Sequence, residues 1–243
     1  MKLHRQTLVL LHGHGVDDKI WEDLDAQLND CCTLIRPNLS LLTSCTSMEA
    51  YAEELYRFLT SAAVNKCILI GHSMGGYIAL EFARKYPDML EGFGLFHSIA
   101  FADDDAKKEQ RDKMADLLHN QGAANFLRHT GANMYGQRYK ELYPEKVQEH
   151  INHYGRLSAE ALVAGIKAMR DRADRTDVLA GLPFPVLFII GMQDDILPFE
   201  RSMEMIRYPK QSYPMILAEA GHMGMVERPD ASARIIQWYI DQL

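Results

Sequence analysis

A chain of 243 residues suits one domain, or one domain with an insertion, and its 47% hydrophobic and 24% charged residues are an ordinary globular balance. The net charge of −7 argues against a nucleic-acid surface, and no apolar run reaches membrane-spanning length. Cys31, Cys32, Cys45 and Cys67 have neither metal-site spacing nor the pattern of a disulfide framework, so reduced thiols in a cytoplasmic protein are expected.

The first apolar run, Thr7 to Gly13 (TLVLLHG), reads as a buried strand. It is not read as a signal peptide, because no small-residue cleavage site follows and the run ends in His-Gly-His-Gly. WEDLDAQLND reads as a helix, with Trp21, Leu24 and Leu28 on one face. CTLIRPNL is a weaker strand, and Pro37 places it near an edge or a strand end. SMEAYAEELYRFLTSA is a helix capped by Ser47, with Tyr51, Leu55, Phe58 and Leu59 along one face. KCILIGHS, MGGYIALEFARKYP and LEGFGLFHS continue as strand, helix and strand.

From Phe101 to about Gly181 the strand pattern stops, and amphipathic helical stretches replace it. PVLFIIG restores the strand pattern; a helix, a strand within SYPMILAEAGH and a last helix, ARIIQWYIDQL, complete the chain. Apolar strands alternating with helices imply a parallel sheet covered on both faces. Residues 1–99 and 183–243 are therefore expected to form an α/β core, and 100–182 a helical insertion over one edge of the sheet.

In an open parallel sheet, ligands bind beyond the carboxyl ends of the strands. Ser73 sits at such an end, in Gly71-His72-Ser73-Met74-Gly75, directly before a helix. Gly-x-Ser-x-Gly at a strand-to-helix turn displays a serine on a sharp bend, whereas a helix-capping serine is the simpler alternative. A serine nucleophile needs a base and an orienting carboxylate. Asp194 and Asp195 follow one later strand and His222 follows another, all at the same edge. That agreement favours a nucleophile.

These residues carry a resemblance. LLHGHG, GHSMGGYIALEFARKYP, AMRDRADRTDVL, PVLFIIGMQDDILP and AGHMGMVERPD together resemble a lid-bearing α/β-hydrolase of the serine hydrolase and esterase type, over nearly the full length. The family pattern Gly-x-x-Asp-x-x-x-Pro falls on Gly191, Asp194 and Pro198, so the resemblance implies Asp194 as the acid, with Asp195 its competitor. It implies an oxyanion hole from the backbone N–H of Met74 and of His14, with Gly15 the alternative. One departure stands out. Only about six residues precede the first strand, so the family's N-terminal hairpin should be missing and the sheet six-stranded.

Other residues bear on the pocket. His97, Met134, Tyr135 and Met223 are expected to line it, and the glycines of HTGANMYG to act as a hinge. His12 and His72 are read as structural, and Glu149, His150 and His153 as a solvated helix face rather than a metal cluster. DDDAKKEQRDK is read as the exposed side of a lid helix. The expected function is cofactor-free hydrolysis of a small-molecule ester through an acyl-enzyme. Carbon–carbon bond hydrolysis, acyl transfer or a lyase reaction on the same scaffold, and a hydrolase-derived small-molecule receptor, are the alternatives. No nucleic-acid or membrane partner is expected.

Overall fold

The apolar runs pair into one sheet in the computed structural model, which describes residues 5–243; positions 1–4, part of the stretch weighed against a signal peptide, lie outside the described residues. The strands are β1 (Thr7–Leu11), β2 (Thr33–Ile35), β3 (Cys67–His72), β4 (Leu90–Phe96), β5 (Val186–Gly191) and β6 (Ser212–Leu217). They lie in the order β2-β1-β3-β4-β5-β6, every neighbouring pair parallel. The sheet is six-stranded, and no hairpin precedes β1 among the described residues.

Both faces must be covered, because β3 and β5 are buried at every position. α2 (Met48–Ser61) packs beside α3 (Met74–Lys85), and α1 (Asp25–Cys31) packs apart from them beside the last helix; right-handed crossovers in this strand order put the two groups on opposite faces. Ser47 caps α2 by accepting from the N–H of Ala50, and Tyr51, Leu55 and Leu59 are buried. Phe58, expected on the same face, is 42% exposed; it lies at the margin of the apolar stripe and turns to solvent.

The middle of the chain contains α4 (Asp105–Thr130), α5 (Gln137–Leu142), α6 (Pro144–Tyr154), α7 (Ala159–Arg170) and α8 (Thr176–Gly181). α4 is two helical segments meeting at Gly122, whose φ of 76° breaks the helix where a side chain would be strained. α7 packs along α4. After β5 come α9 (Phe199–Glu204), α10 (Gly224–Glu227) and α11 (Pro229–Ile240). α11 lies beside α1, and its Tyr239 hydroxyl donates to the carbonyl of Pro185 at 2.6 Å and accepts from the N–H of Phe93, fixing the helix across β4. The parallel register brings the ends of β3, β4, β5 and β6 to one edge of the sheet.

Candidate active site

The turn after β3 is held in a conformation that serine rarely adopts. Ser73 has φ 51° and ψ −118°, and this positive φ in a residue with a Cβ stores strain. The surroundings enforce it. A Cβ on Gly71 would lie 2.3 Å from the carbonyl oxygen of Gly75, and one on Gly75 2.6 Å from those of Leu11 and His12. The turn is thus pressed against β1 at a distance that only glycine permits. The Ser73 N–H donates to the Phe96 carbonyl, and the Ser98 hydroxyl donates to the Ser73 carbonyl. Backbone bonds on both sides leave the Ser73 side chain facing the cleft. The capping alternative has no support, since the Ser73 side chain makes no capping bond to α3.

Asp194 follows β5 and is buried. One carboxylate oxygen accepts from the N–H groups of Ile196 and Leu197, both at 2.9 Å. The other accepts from His222 Nδ1 at 2.7 Å. Burial alone would raise this carboxyl, but His222, His97 and the backbone N–H of Leu197 hold it below the ordinary value. With Nδ1 bonded to Asp194, Nε2 is the His222 ring nitrogen left to act as a base. Asp195 points outward and is exposed.

The His222 loop is anchored from three directions. Its N–H donates to the Met134 carbonyl at 2.8 Å, and its carbonyl accepts from His72 Nε2 at 2.9 Å. Beneath it, the buried carboxylate of Glu227 accepts from the N–H groups of Gly221, Met223 and Gly136. Burial raises the Glu227 carboxyl, and the three N–H donors oppose that shift. One side chain therefore ties the loop after β6 to the segment before α5.

A cavity of about 210 Å³ contains Ser73 and His222, with His14, Gly15, Met134 and Met169 among its walls. Met74 is the first residue of α3, so its N–H has no intrahelical acceptor. The N–H groups of His14 and Gly15 have no acceptor among the described residues. The His14 ring binds the Leu162 carbonyl through Nε2 at 2.8 Å, and burial lowers its pKa to about 4, so it is a neutral anchor for α7.

Three of the residues expected to line the pocket do not. His97, at a φ of 45°, is buried under the site, its ring nitrogens facing the N–H groups of Gly191 and Gly224. Tyr135 stacks on Tyr139 and meets His150 edge-on, inside the helical segment. Met223 is fully buried, because its N–H bond to Glu227 turns it into the core. The glycines of HTGANMYG are no hinge here. Gly131 and Gly136 have ordinary negative φ, and they allow close approach to Ile151 and to Gln193, Glu227 and Gly221. His150 also departs from the expected solvated face. It is half-buried between Tyr135 and Tyr154, with its pKa lowered to about 4, chiefly by burial. Among the described residues no cluster could hold a metal ion.

Glu227, Lys107 and Arg111 were missed as site residues. Glu227 stands inside AGHMGMVERPD, where nothing in the pattern shows which backbone groups it meets. Lys107 and Arg111 are four residues apart on α4, a spacing that puts both on one helix face. Both line the cavity, and Arg111 is buried with its Nε donating to Asp103 at 2.7 Å. The whole of DDDAKKEQRDK is therefore not a solvated face.

The chain has relatives among known proteins. Residues 8–235 match the sequence model of the alpha/beta hydrolase family. A candidate carbamate hydrolase of Pantoea ananatis is 24% identical over 185 residues, 75% of this chain and 66% of that protein. A pimeloyl-[acyl-carrier protein] methyl ester esterase of Klebsiella pneumoniae is 25% identical over 234 residues, 92% of this chain and 89% of that protein. Among solved structures, a thermophilic esterase from Thermogutta terrifontis superposes with a TM-score of 0.92 at 28% identity, covering 98% of this chain and 90% of that one.

Proposed function

The chain belongs to the alpha/beta hydrolase family, and on that premise we propose that it is a serine hydrolase acting on small-molecule carboxylic esters. The observation that carries the reading is the Asp194–His222 pair, at 2.7 Å, at the same edge of the sheet as a strained Ser73, with His222 and Ser73 in one cavity. Relatives described as esterases support the ester class.

In this mechanism Ser73 Oγ attacks the ester carbonyl carbon as His222 Nε2 takes its proton. Asp194 holds the imidazole in the required tautomer and stabilises the imidazolium. The oxyanion receives the N–H of Met74 at the start of α3 and that of His14, both fixed before the substrate arrives. The imidazolium gives its proton to the departing alkoxide, leaving an acyl group on Ser73. His222 then activates water to release the acid. No cofactor enters any step.

Residues 100–182 act as a lid in this reading. Its polar bonds to the core include Met134 to His222, Gly136 to Glu227, Leu162 to His14, and the Tyr154 hydroxyl to Asp17 at 3.1 Å, beside apolar packing such as Phe126 edge-on to the His14 ring. Such bonds hold the segment over the site and can exchange with water when it opens. No helix of the described residues is long and apolar enough to cross a membrane, and all four cysteines are free. The test is a fluorophosphonate probe run beside nitrophenyl esters of rising acyl length. Stoichiometric labelling of Ser73 with ester turnover is the expected result; the absence of both on folded protein would overturn the proposal.

A further inference from the structure

The charged residues around the active-site cavity are distributed unevenly. Lys107 and Arg111 line it, whereas no aspartate or glutamate among the described residues does. A protein of net charge −7 therefore presents a basic wall to its own candidate nucleophile. A second cavity, of about 420 Å³, shares Tyr77, Lys107 and Arg111 with the first and leads outward past Arg172 and Arg201.

The acidic groups at this outer cavity are Asp103, Asp104 and Asp195. Asp103 is buried and already engaged twice, by Arg111 and by Arg172 Nη2, each at 2.7 Å. One carboxylate thus faces two guanidinium groups, and the trio keeps one positive charge. Asp104 is exposed and accepts from the Lys107 N–H as the cap of α4. Asp195 is exposed and makes no ion pair among the described residues. Arg172 is also held over the Tyr77 ring at 4.1 Å, which fixes its plane against the cavity wall.

Lys107 is the unsatisfied member. Its side chain is half-buried, and among the described residues its ammonium makes no ion pair or hydrogen bond. Burial, then the neighbouring Arg111, lowers its pKa, while Asp103 and Asp104 oppose the shift. Lys107 lines both cavities, so an anion entering either can meet its three N–H donors.

We infer that Lys107, with Arg111 behind it, receives an anionic group of the substrate, so that the esters this site prefers carry a free carboxylate as well as the ester bond. The inference rests on the serine hydrolase reading of the same cavity and deepens it to a substrate class. A carboxylate beside Lys107 pairs with its ammonium and offsets the excess positive charge. Arg111 stays committed to Asp103, so it contributes field rather than a primary bond.

The test compares the monomethyl ester of a five- or six-carbon dicarboxylic acid with the methyl ester of the monocarboxylic acid of equal length, followed by methanol release. The wild-type protein should favour the anionic ester in kcat/KM. Lys107→Met should reduce the ratio of anionic to neutral kcat/KM by about tenfold or more, the scale of one lost charge-assisted hydrogen bond. Lys107→Glu should reduce it further, and Lys107→Arg should restore most of it. Raising salt should erode the preference, since the site opens to solvent.

Binding supplies an arm independent of turnover. The five-carbon dicarboxylate itself should raise the melting temperature of the Ser73→Ala protein and not that of the Ser73→Ala, Lys107→Met protein. Equal ratios in the wild type and Lys107→Met would overturn the inference while leaving the hydrolase reading intact. Absence of turnover on both esters, with unlabelled Ser73, would remove the hydrolase reading. The dicarboxylate shift would then still decide whether the anion site exists.

Discussion

Asp194 Oδ2 accepts from His222 Nδ1 at 2.7 Å, while its chain neighbour Asp195 is exposed. The difference is one of register: the N–H groups of Ile196 and Leu197 close a turn on Asp194 Oδ1, which directs its other oxygen inward. Asp194→Asn should lower kcat at neutral pH by about four orders of magnitude, because the amide favours the wrong imidazole tautomer. Asp195→Asn should change it far less. Steady-state kinetics of the two variants decide, and a reversed pair of effects would move the acid to Asp195.

The strain at Ser73 gives a stability prediction. A non-glycine residue held at positive φ costs about 1–3 kcal/mol, and the proposed Ser73 hydroxyl serves chemistry rather than packing. Ser73→Ala should therefore unfold in urea at a midpoint equal to or above that of the wild type while losing all probe labelling. Ser73→Gly, free of the backbone strain, should be at least as stable as Ser73→Ala. A clear loss of stability in both variants would show that the hydroxyl is structural.

Buried histidines set the acid limit. Burial lowers His14 to about 4 and His97 to about 3, and it takes His72 well below its ordinary value. Unfolded, each titrates near 6.5. The folded state thus binds fewer protons than the unfolded state below pH 6.5. Their contribution to stability is fully present above 6.5 and is lost as pH falls toward the folded values. Each should cost on the order of 1–2 kcal/mol between pH 7 and 5. Asp194, held below its ordinary value, acts only at lower pH, where its own contribution is lost on protonation. Thermal melts across that range should show a steep decline; a flat profile would contradict the neutral, buried assignment.

Much of this was legible in the chain because local signals and tertiary packing agree. β3 and β5 are buried on both faces and therefore read as unbroken apolar runs. Gly71 and Gly75 mark the turn at Ser73 because no side chain fits where they touch the backbone. The pocket was less legible. His97 and Met223 follow strands as wall residues would, but their direction depends on bonds to Gly191, Gly224 and Glu227, which are remote in sequence or set by a loop's path. Lys107 and Arg111 read as an exposed charged face, because a helix pattern shows which residues share a side and not what that side meets.

Glu227 should act as a positioning residue for His222. Its carboxylate accepts from Gly221, Met223 and Gly136 and so holds both the histidine loop and the segment leading into α5. Glu227→Gln keeps the volume but replaces one acceptor oxygen with a donor facing N–H groups, a loss of about 1–3 kcal/mol of stability. At a temperature where the variant is folded, kcat should fall with KM little changed, and the pH–rate profile should shift as His222 loosens. Loss of stability with an unaltered pH profile would restrict Glu227 to a structural role.

Met134 should control acyl selection without affecting the nucleophile. It is the last residue of a 3₁₀ turn, Gly131–Met134, and its backbone carbonyl, not its side chain, receives the His222 N–H. The side chain lines the cavity with Met114 and Met169, and three flexible thioethers make a wall that adapts to different acyl groups. Tyr135, one residue on, is stacked against Tyr139 within the helical segment. The two neighbours should therefore separate experimentally. Met134→Ala should enlarge the cavity and shift preference among nitrophenyl esters toward longer acyl chains, with fluorophosphonate labelling of Ser73 little altered. Met134→Phe should shift it toward shorter ones. Tyr135→Phe, which keeps the stacking, should leave chain-length preference as it is. If the two Met134 variants lost labelling and turnover in parallel, with no change in preference, the side chain would support the site's structure rather than shape its pocket.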